Sequence, residues 1–197
     1  WLFQQPAAKQ ELGHLLLGLS LPVAEVMAPQ ARFATNIQEE AGVNTLRIGY
    51  ADERVIEKQM QAARRSGSGQ VDVDMSNAEY NLSYYSMPFI FLLSLVLITP
   101  LAFRDRLWAV LVGSLLMLFF LWIKMQIALT AHLMENGLIS SGGFWQGLMS
   151  SLRGVMQLGF SFAMAVLIWF LVAFRKSNWQ SLLNRFLSTH TESKKEE

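Results

Sequence analysis

The chain has 197 residues, 52% hydrophobic and only 16% charged, with a net charge of +1 and no cysteine. Soluble domains carry roughly a quarter charged residues, so the composition, with its apolar residues concentrated after Tyr84, points to a membrane protein with one polar domain, and the near-neutral balance argues against a nucleic-acid partner. Without cysteine there is no disulfide, no thiolate metal site and no cysteine nucleophile.

The chain begins at Trp1 with no methionine, which suggests a segment such as a signal anchor ahead of it. Within residues 1–29 the run "LGHLLLGLSLPVAEVMA" (12–28) is apolar but interrupted by His14, Pro22 and Glu25. It is too short to span a bilayer by itself. It reads as an amphipathic or interfacial helical segment broken near Pro22, with a re-entrant or degenerate span as the alternative.

Residues 30–86 have a water-soluble composition and predict a small α+β domain. In "TLRIGY", Leu46, Ile48 and Tyr50 alternate with Thr45, Arg47 and Gly49, as in a half-buried strand. Asp52 is placed to cap a helix reaching about Arg65, with Val55, Ile56, Gln59 and Ala63 near one face. "SGSG" at 66–69 ends that helix. Val71, Val73 and Met75 then alternate with Asp72, Asp74 and Ser76. Ala78, Tyr80, Leu82 and Tyr84 alternate in the opposite phase, so a turn or bulge falls at Ser76–Asn77. The expected unit is β-α-β-β, and at about 45 residues it is marginal alone. It should rest on the membrane, on the chain's own helices or on a partner.

Residues 87–176 carry three apolar stretches. "FIFLLSLVLITPLAF" (89–103) rises about 22 Å as a helix, short for a hydrocarbon core of about 30 Å. Tyr84, Tyr85 and Met87 extend it into the interface. Pro88 suits a first helical turn, and Pro100 kinks or loosens the last one. "LWAVLVGSLLMLFFLWIKMQIALT" (107–130) is long enough to span. Lys124 lies about 26 Å along it and is expected to snorkel at the far interface; a functional intramembrane cation is the sharper alternative. The third stretch runs from 154 to 174, and residues 143–153 either begin it early or lie in the interface.

Arg104 and Arg106 sit between the first two stretches, and Arg175 and Lys176 follow the third. Counting crossings puts both clusters on one side, which the positive-inside bias makes cytoplasmic; Arg153, at the opposite end, lessens the contrast. The polar domain and the loop at 131–150 are then extracytoplasmic. Residues 177–197 predict a cytoplasmic amphipathic helix followed by a charged tail. Trp179, Leu182, Leu183, Phe186 and Leu187 fall on one face of that helix, suited to the inner leaflet. The fold class is therefore a mainly α membrane protein, with three transmembrane helices plus a small extracytoplasmic α+β domain.

Chemistry is sparse. No nucleophile motif, phosphate loop or dinucleotide fingerprint is present. His132 and Glu135, three apart, could share a helix face as metal ligands do, but no second pair accompanies them, and an interfacial histidine is expected. Asp72 and Asp74 share a strand face, which the alternation of a solvent-facing strand explains. No catalytic residue, metal site or cofactor is expected. Two surfaces are singled out for partner binding. One is the aromatic strand with Tyr80, Leu82 and Tyr84, leading into the first span. The other is the small-residue ladder Gly143, Gly147 and Ser151, whose spacing Gly159 and Ala163 repeat. Such ladders let helices approach closely in lipid, here within the chain's own spans or against another membrane protein.

The stretch "YYSMPFIFLLSLVLITPLAFRDRLWAVLVGSLLML" resembles the exosortase H-associated membrane proteins of Gram-negative bacteria. Those pair an extracytoplasmic segment with a span marked by tyrosine and proline and a short charged turn. The likeness covers residues 80–130. It implies a non-enzymatic accessory subunit of a protein-sorting or envelope-export system in the bacterial inner membrane. The implied partners are membrane lipid and another integral membrane protein, an exosortase-like peptidase. Exosortases use a cysteine nucleophile, so this chain is not expected to be the peptidase. The alternative is a subunit of a membrane transporter. A transport path places polar residues deep in its spans, whereas the middle of the second span, "VGSLLMLFFLW", is almost wholly apolar and the third offers only Ser161.

Overall fold

The computed structural model describes residues 6–40, 43–66, 75–140, 142–156 and 158–174. Asp72 and Asp74, the strand around Val71 and Val73, the glycines of "SGSG" and the amphipathic helix expected after Ser177 lie outside the described residues. The chain is mainly helical with one small antiparallel sheet. In order it forms α1 (Pro6–Met27), β1 (Ala31–Glu40), β2 (Val43–Asp52), α2 (Glu53–Ser66) and β3 (Ser76–Asn81). Four helices follow: α3 (Ser83–Ile98), α4 (Phe103–Glu135), α5 (Gly143–Val155) and α6 (Leu158–Ala173). Two compact units result. One holds α1, the sheet, α2, the first turn of α3, the second half of α4 and α5. The other holds the rest of α3, the first half of α4 and α6.

In the first unit β2 is the central strand. It pairs with β1 from Ala31↔Asp52 to Glu40↔Val43 and with β3 from Tyr50↔Ser76 to Thr45↔Asn81. Leu46, Ile48 and Tyr50 are fully buried, as their alternation predicts. Among the described residues the order is β-β-α-β: "ARFATNIQEE" forms a strand at the sheet edge that was not expected, and the expected strand around Val71 and Val73 lies outside them. Asp52 caps α2, its Oδ1 accepting the Arg54 N–H at 2.8 Å. The aromatic strand is shorter than its alternation suggests. It stops at Asn81, whose Oδ1 accepts the Ser83 N–H at 2.9 Å and turns the chain into α3. Tyr84 is therefore helical, and Pro88 lies inside α3 rather than in its first turn.

Nor is α1 broken at Pro22, which lies inside a continuous helix. Proline removes the donor that the Gly18 carbonyl would receive and loosens that turn. The adjacent carbonyls accept donors from α4: Trp122 Nε1 reaches Leu19 O at 3.2 Å and Gln126 Nε2 reaches Ser20 O at 3.2 Å. Further on, Thr130 Oγ1 donates to Met27 Sδ at 3.8 Å. The order of these contacts shows α1 running in the same direction as the second half of α4. At Gly13 a Cβ would meet Leu82 Cδ1 at 3.0 Å and Ile37 Cδ1 at 3.2 Å, so glycine permits the close approach of α1 to the sheet.

At 33 residues, or about 50 Å, α4 is by itself long and apolar enough to cross a membrane, and no other single helix among the described residues is. It begins earlier than expected, so Arg104, Asp105 and Arg106 form its first turn instead of a loop. In the second unit α3 ends at Ile98, two residues before Pro100, as the restriction on the residue preceding a proline requires. Its core contains Leu92, Val96, Ala109, Met117, Ala165 and Ile168. Trp169 Nε1 donates to Thr99 Oγ1 at 2.8 Å, and that hydroxyl donates back to Leu95 O at 2.6 Å, closing the end of α3.

Candidate functional site

Within the first unit, β3 and the start of α3 face the second half of α4 and the end of α5 across a cavity of about 510 Å³. From α4 it takes Lys124, Ala128 and His132, which at steps of four share one helix face. Lys124 does not extend outward as a snorkelling lysine would. It is buried, with Nζ 5.1 Å from the centroid of the Tyr85 ring, in cation–π contact. The Tyr80 ring stands edge-on to both Tyr85 and His132, each at 6.4 Å.

Tyr80 brings the most telling atom. The residue lines the cavity, and its hydroxyl is buried with no hydrogen-bond partner among the described residues. Such an orphan costs about 1–3 kcal/mol. Burial above all, then the neighbouring Tyr85 and Tyr50, holds the phenol well above its usual pKa, so it remains a donor at neutral pH.

Charges complete the wall. Arg153 from α5 donates through Nη1 to both Glu135 carboxylate oxygens, at 3.1 and 3.2 Å, and Glu135 lies 3.6 Å from His132 Nδ1. His132 and Glu135 thus share a helix face as their spacing predicts. No group of three metal-ligating side chains occurs among the described residues. Glu79, on β3, is held at 2.6 Å by Arg47 Nε, whose Nη1 donates to Gln38 at 2.9 Å. Glu79 at the cavity and Glu135 beside it are therefore both engaged by arginines.

The surfaces singled out from sequence separate here. Tyr80 and Tyr84 meet at the cavity, the latter about half exposed. Leu82 is wholly buried and packs towards α1 at Gly13. Gly143, Gly147 and Ser151 lie exposed along α5, and a Cβ built on either glycine meets nothing within 4 Å. The ladder is not used for packing inside the first unit. What α5 contributes is Arg153, and α4 contributes Lys124, residues whose positive charge in apolar surroundings was the available signal.

The geometry defines an aromatic, cation-lined pocket beside an edge strand, on an α+β unit continuous with an apolar helix. No family model, no curated protein and no solved structure matches the chain.

Proposed function

We propose that the protein is a non-enzymatic accessory subunit of the bacterial inner membrane, serving a protein-sorting or envelope-export system. In this reading α3, α4 and α6 are the three spans, the sheet unit faces the extracytoplasmic side, and α1 accompanies the outer half of α4. The resemblance of residues 80–130 to exosortase H-associated proteins supports an exosortase-like peptidase as the partner. Three spans agree with the apolar character of α3 and α6, although each has only 16 residues.

The observation that carries the proposal is that, among the described residues, β3 is an edge strand leading directly into α3. Leu82 N–H bonds to Asn44 O at 2.9 Å, so by the alternation of an antiparallel ladder Asn77 and Glu79 direct their N–H groups away from β2. Such an edge accepts an extended segment by strand addition.

Replacing Asn77 with proline removes an outward donor without touching the β2 ladder. Capture of a co-expressed exosortase-like peptidase by the tagged chain should fall sharply in Asn77→Pro, with the amount of folded protein unchanged. Undiminished capture by Asn77→Pro and by the Asn77→Pro/Glu79→Pro pair would refute edge-strand docking.

A further inference from the structure

We infer that α5 lies flat in the head-group region of the outer leaflet, with lipid covering its apolar face. This rests on the membrane reading of α4 given above, and adds to it a contact between the sheet-bearing unit and the bilayer surface. At about 100° per residue, Phe144, Trp145, Leu148, Met149, Leu152 and Val155 fall within an arc of about 140°. Gln146, Ser150, Ser151 and Arg153, with the glycines of the helix, fill the remainder. Such a separation of faces belongs to a helix with one side against an apolar medium. Yet α5 has no buried residue: Phe144 is 75% exposed, Val155 59% and Trp145 54%. The first unit therefore does not use that face for its own core.

Height, length and composition together say what covers it. Arg153 holds Glu135, the last residue of α4, at 3.1 Å, and Gln30 Nε2 donates to Leu138 O at 2.9 Å in the short link, so α5 stays beside the end of α4. A bilayer with its head groups is about 40–45 Å thick, and α4 is about 50 Å long. A tilt of about 30°, within the usual range, sets Arg104 in one head-group zone and Glu135 in the other. Glu135 then fixes the level of α5. With 13 residues α5 is about 20 Å long, too short to cross a hydrocarbon core of about 30 Å. Phe144 and Trp145 stand edge-on at its start, with ring centroids 5.7 Å apart. An indole, apolar in body and polar at its N–H, is favoured where hydrocarbon meets head groups. The arc carries no charge, since Arg153, the one charged residue of α5, is turned to Glu135. A protein groove or a second copy would also cover an apolar face, but lipid is the occupant that α4 itself brings to this level.

The test uses the full chain, which has no native cysteine, in bilayers of phosphatidylethanolamine and phosphatidylglycerol. Single cysteines at Phe144, Leu148 and Leu152 on the arc, at Gln146 and Ser150 opposite, and at Leu115 on α4 carry a nitroxide. Its collisions with oxygen, concentrated in hydrocarbon, and with a water-soluble nickel chelate are then measured. The three arc positions should favour oxygen and share one depth, about 5–10 Å into the head-group and acyl boundary. Gln146→Cys and Ser150→Cys should favour nickel, so the ratio of the two accessibilities oscillates with the helical period. Depth increasing steadily from Phe144 to Leu152 makes α5 part of a span and overturns the proposal. Nickel access along the whole arc overturns it too, by placing that face in water. Low access to both reagents on the arc means that protein covers it, which also overturns the lipid assignment. Leu115→Cys separates the two failures. Oxygen-favoured Leu115 with a failing arc sinks this inference alone, whereas Leu115 without oxygen preference sinks the membrane reading itself.

Discussion

Asn136 shows how much a single side chain holds together. Its Nδ2 donates to Tyr50 Oη and to His132 O, each at 2.9 Å, and its Oδ1 accepts from Ser76 Oγ at 3.4 Å. One amide thus ties the end of α4 to β2 and β3. Tyr50 is almost completely buried, and burial first, then Glu135, raises its phenol pKa. Asn136→Leu should cost about 1–3 kcal/mol, seen as a lower Tm, because the phenol loses its partner where water does not reach. At Gly13 two effects compete. Alanine gains about 1 kcal/mol of helix propensity, but its Cβ presses on the tips of Leu82 and Ile37. Gly13→Ala should be near neutral and Gly13→Val destabilising by about 1–3 kcal/mol, both read by thermal unfolding. The sequence already held part of the site, since Lys124, Ala128 and His132 recur at steps of four. It could not show Tyr80 and Arg153 joining them, because that meeting depends on packing between segments some 70 residues apart in the chain.

Elements were legible where one physical signal dominated. The alternation of β2, the Asp52 cap and the apolar length of α4 each express burial or hydrogen bonding local to the segment. β1 was missed because its apolar positions are sparse and its pairing supplies what its side chains do not. The aromatic alternation through Tyr84 was over-read, since Asn81 turns the chain before the pattern ends. Pro22 misled for a related reason: a proline predicts a break when the helix is considered alone, but α4 supplies donors to the neighbouring carbonyls. Pro22→Ala should therefore keep the helix and raise its stability, as seen by thermal unfolding followed by circular dichroism. Trp122→Phe, which deletes the indole bond to Leu19 O, should cost about 1 kcal/mol.

For the whole molecule the proposed orientation makes the sharpest demand. No native cysteine interferes, so single cysteines report cleanly. Asp105 and Ser140 are exposed at the two ends of the α4 region. Gly137 is a poor choice, since its φ of 72° suits glycine. In cells with a permeabilised outer membrane, Ser140→Cys should react with an impermeant maleimide and Asp105→Cys only after lysis. The reverse pattern would invert the topology. The alliance of α1 with α4 also has a consequence in time. Leu19 and Trp122 are 103 residues apart. At a synthesis rate of about 5–20 residues per second, α1 leaves the ribosome roughly 5–20 seconds before the helix that satisfies it. During that interval the loosened turn at Pro22 has only the backbone donors of its own helix. Until α4 arrives, the Leu19 and Ser20 carbonyls beside Pro22 lack the indole and amide donors that join the two helices in the finished fold.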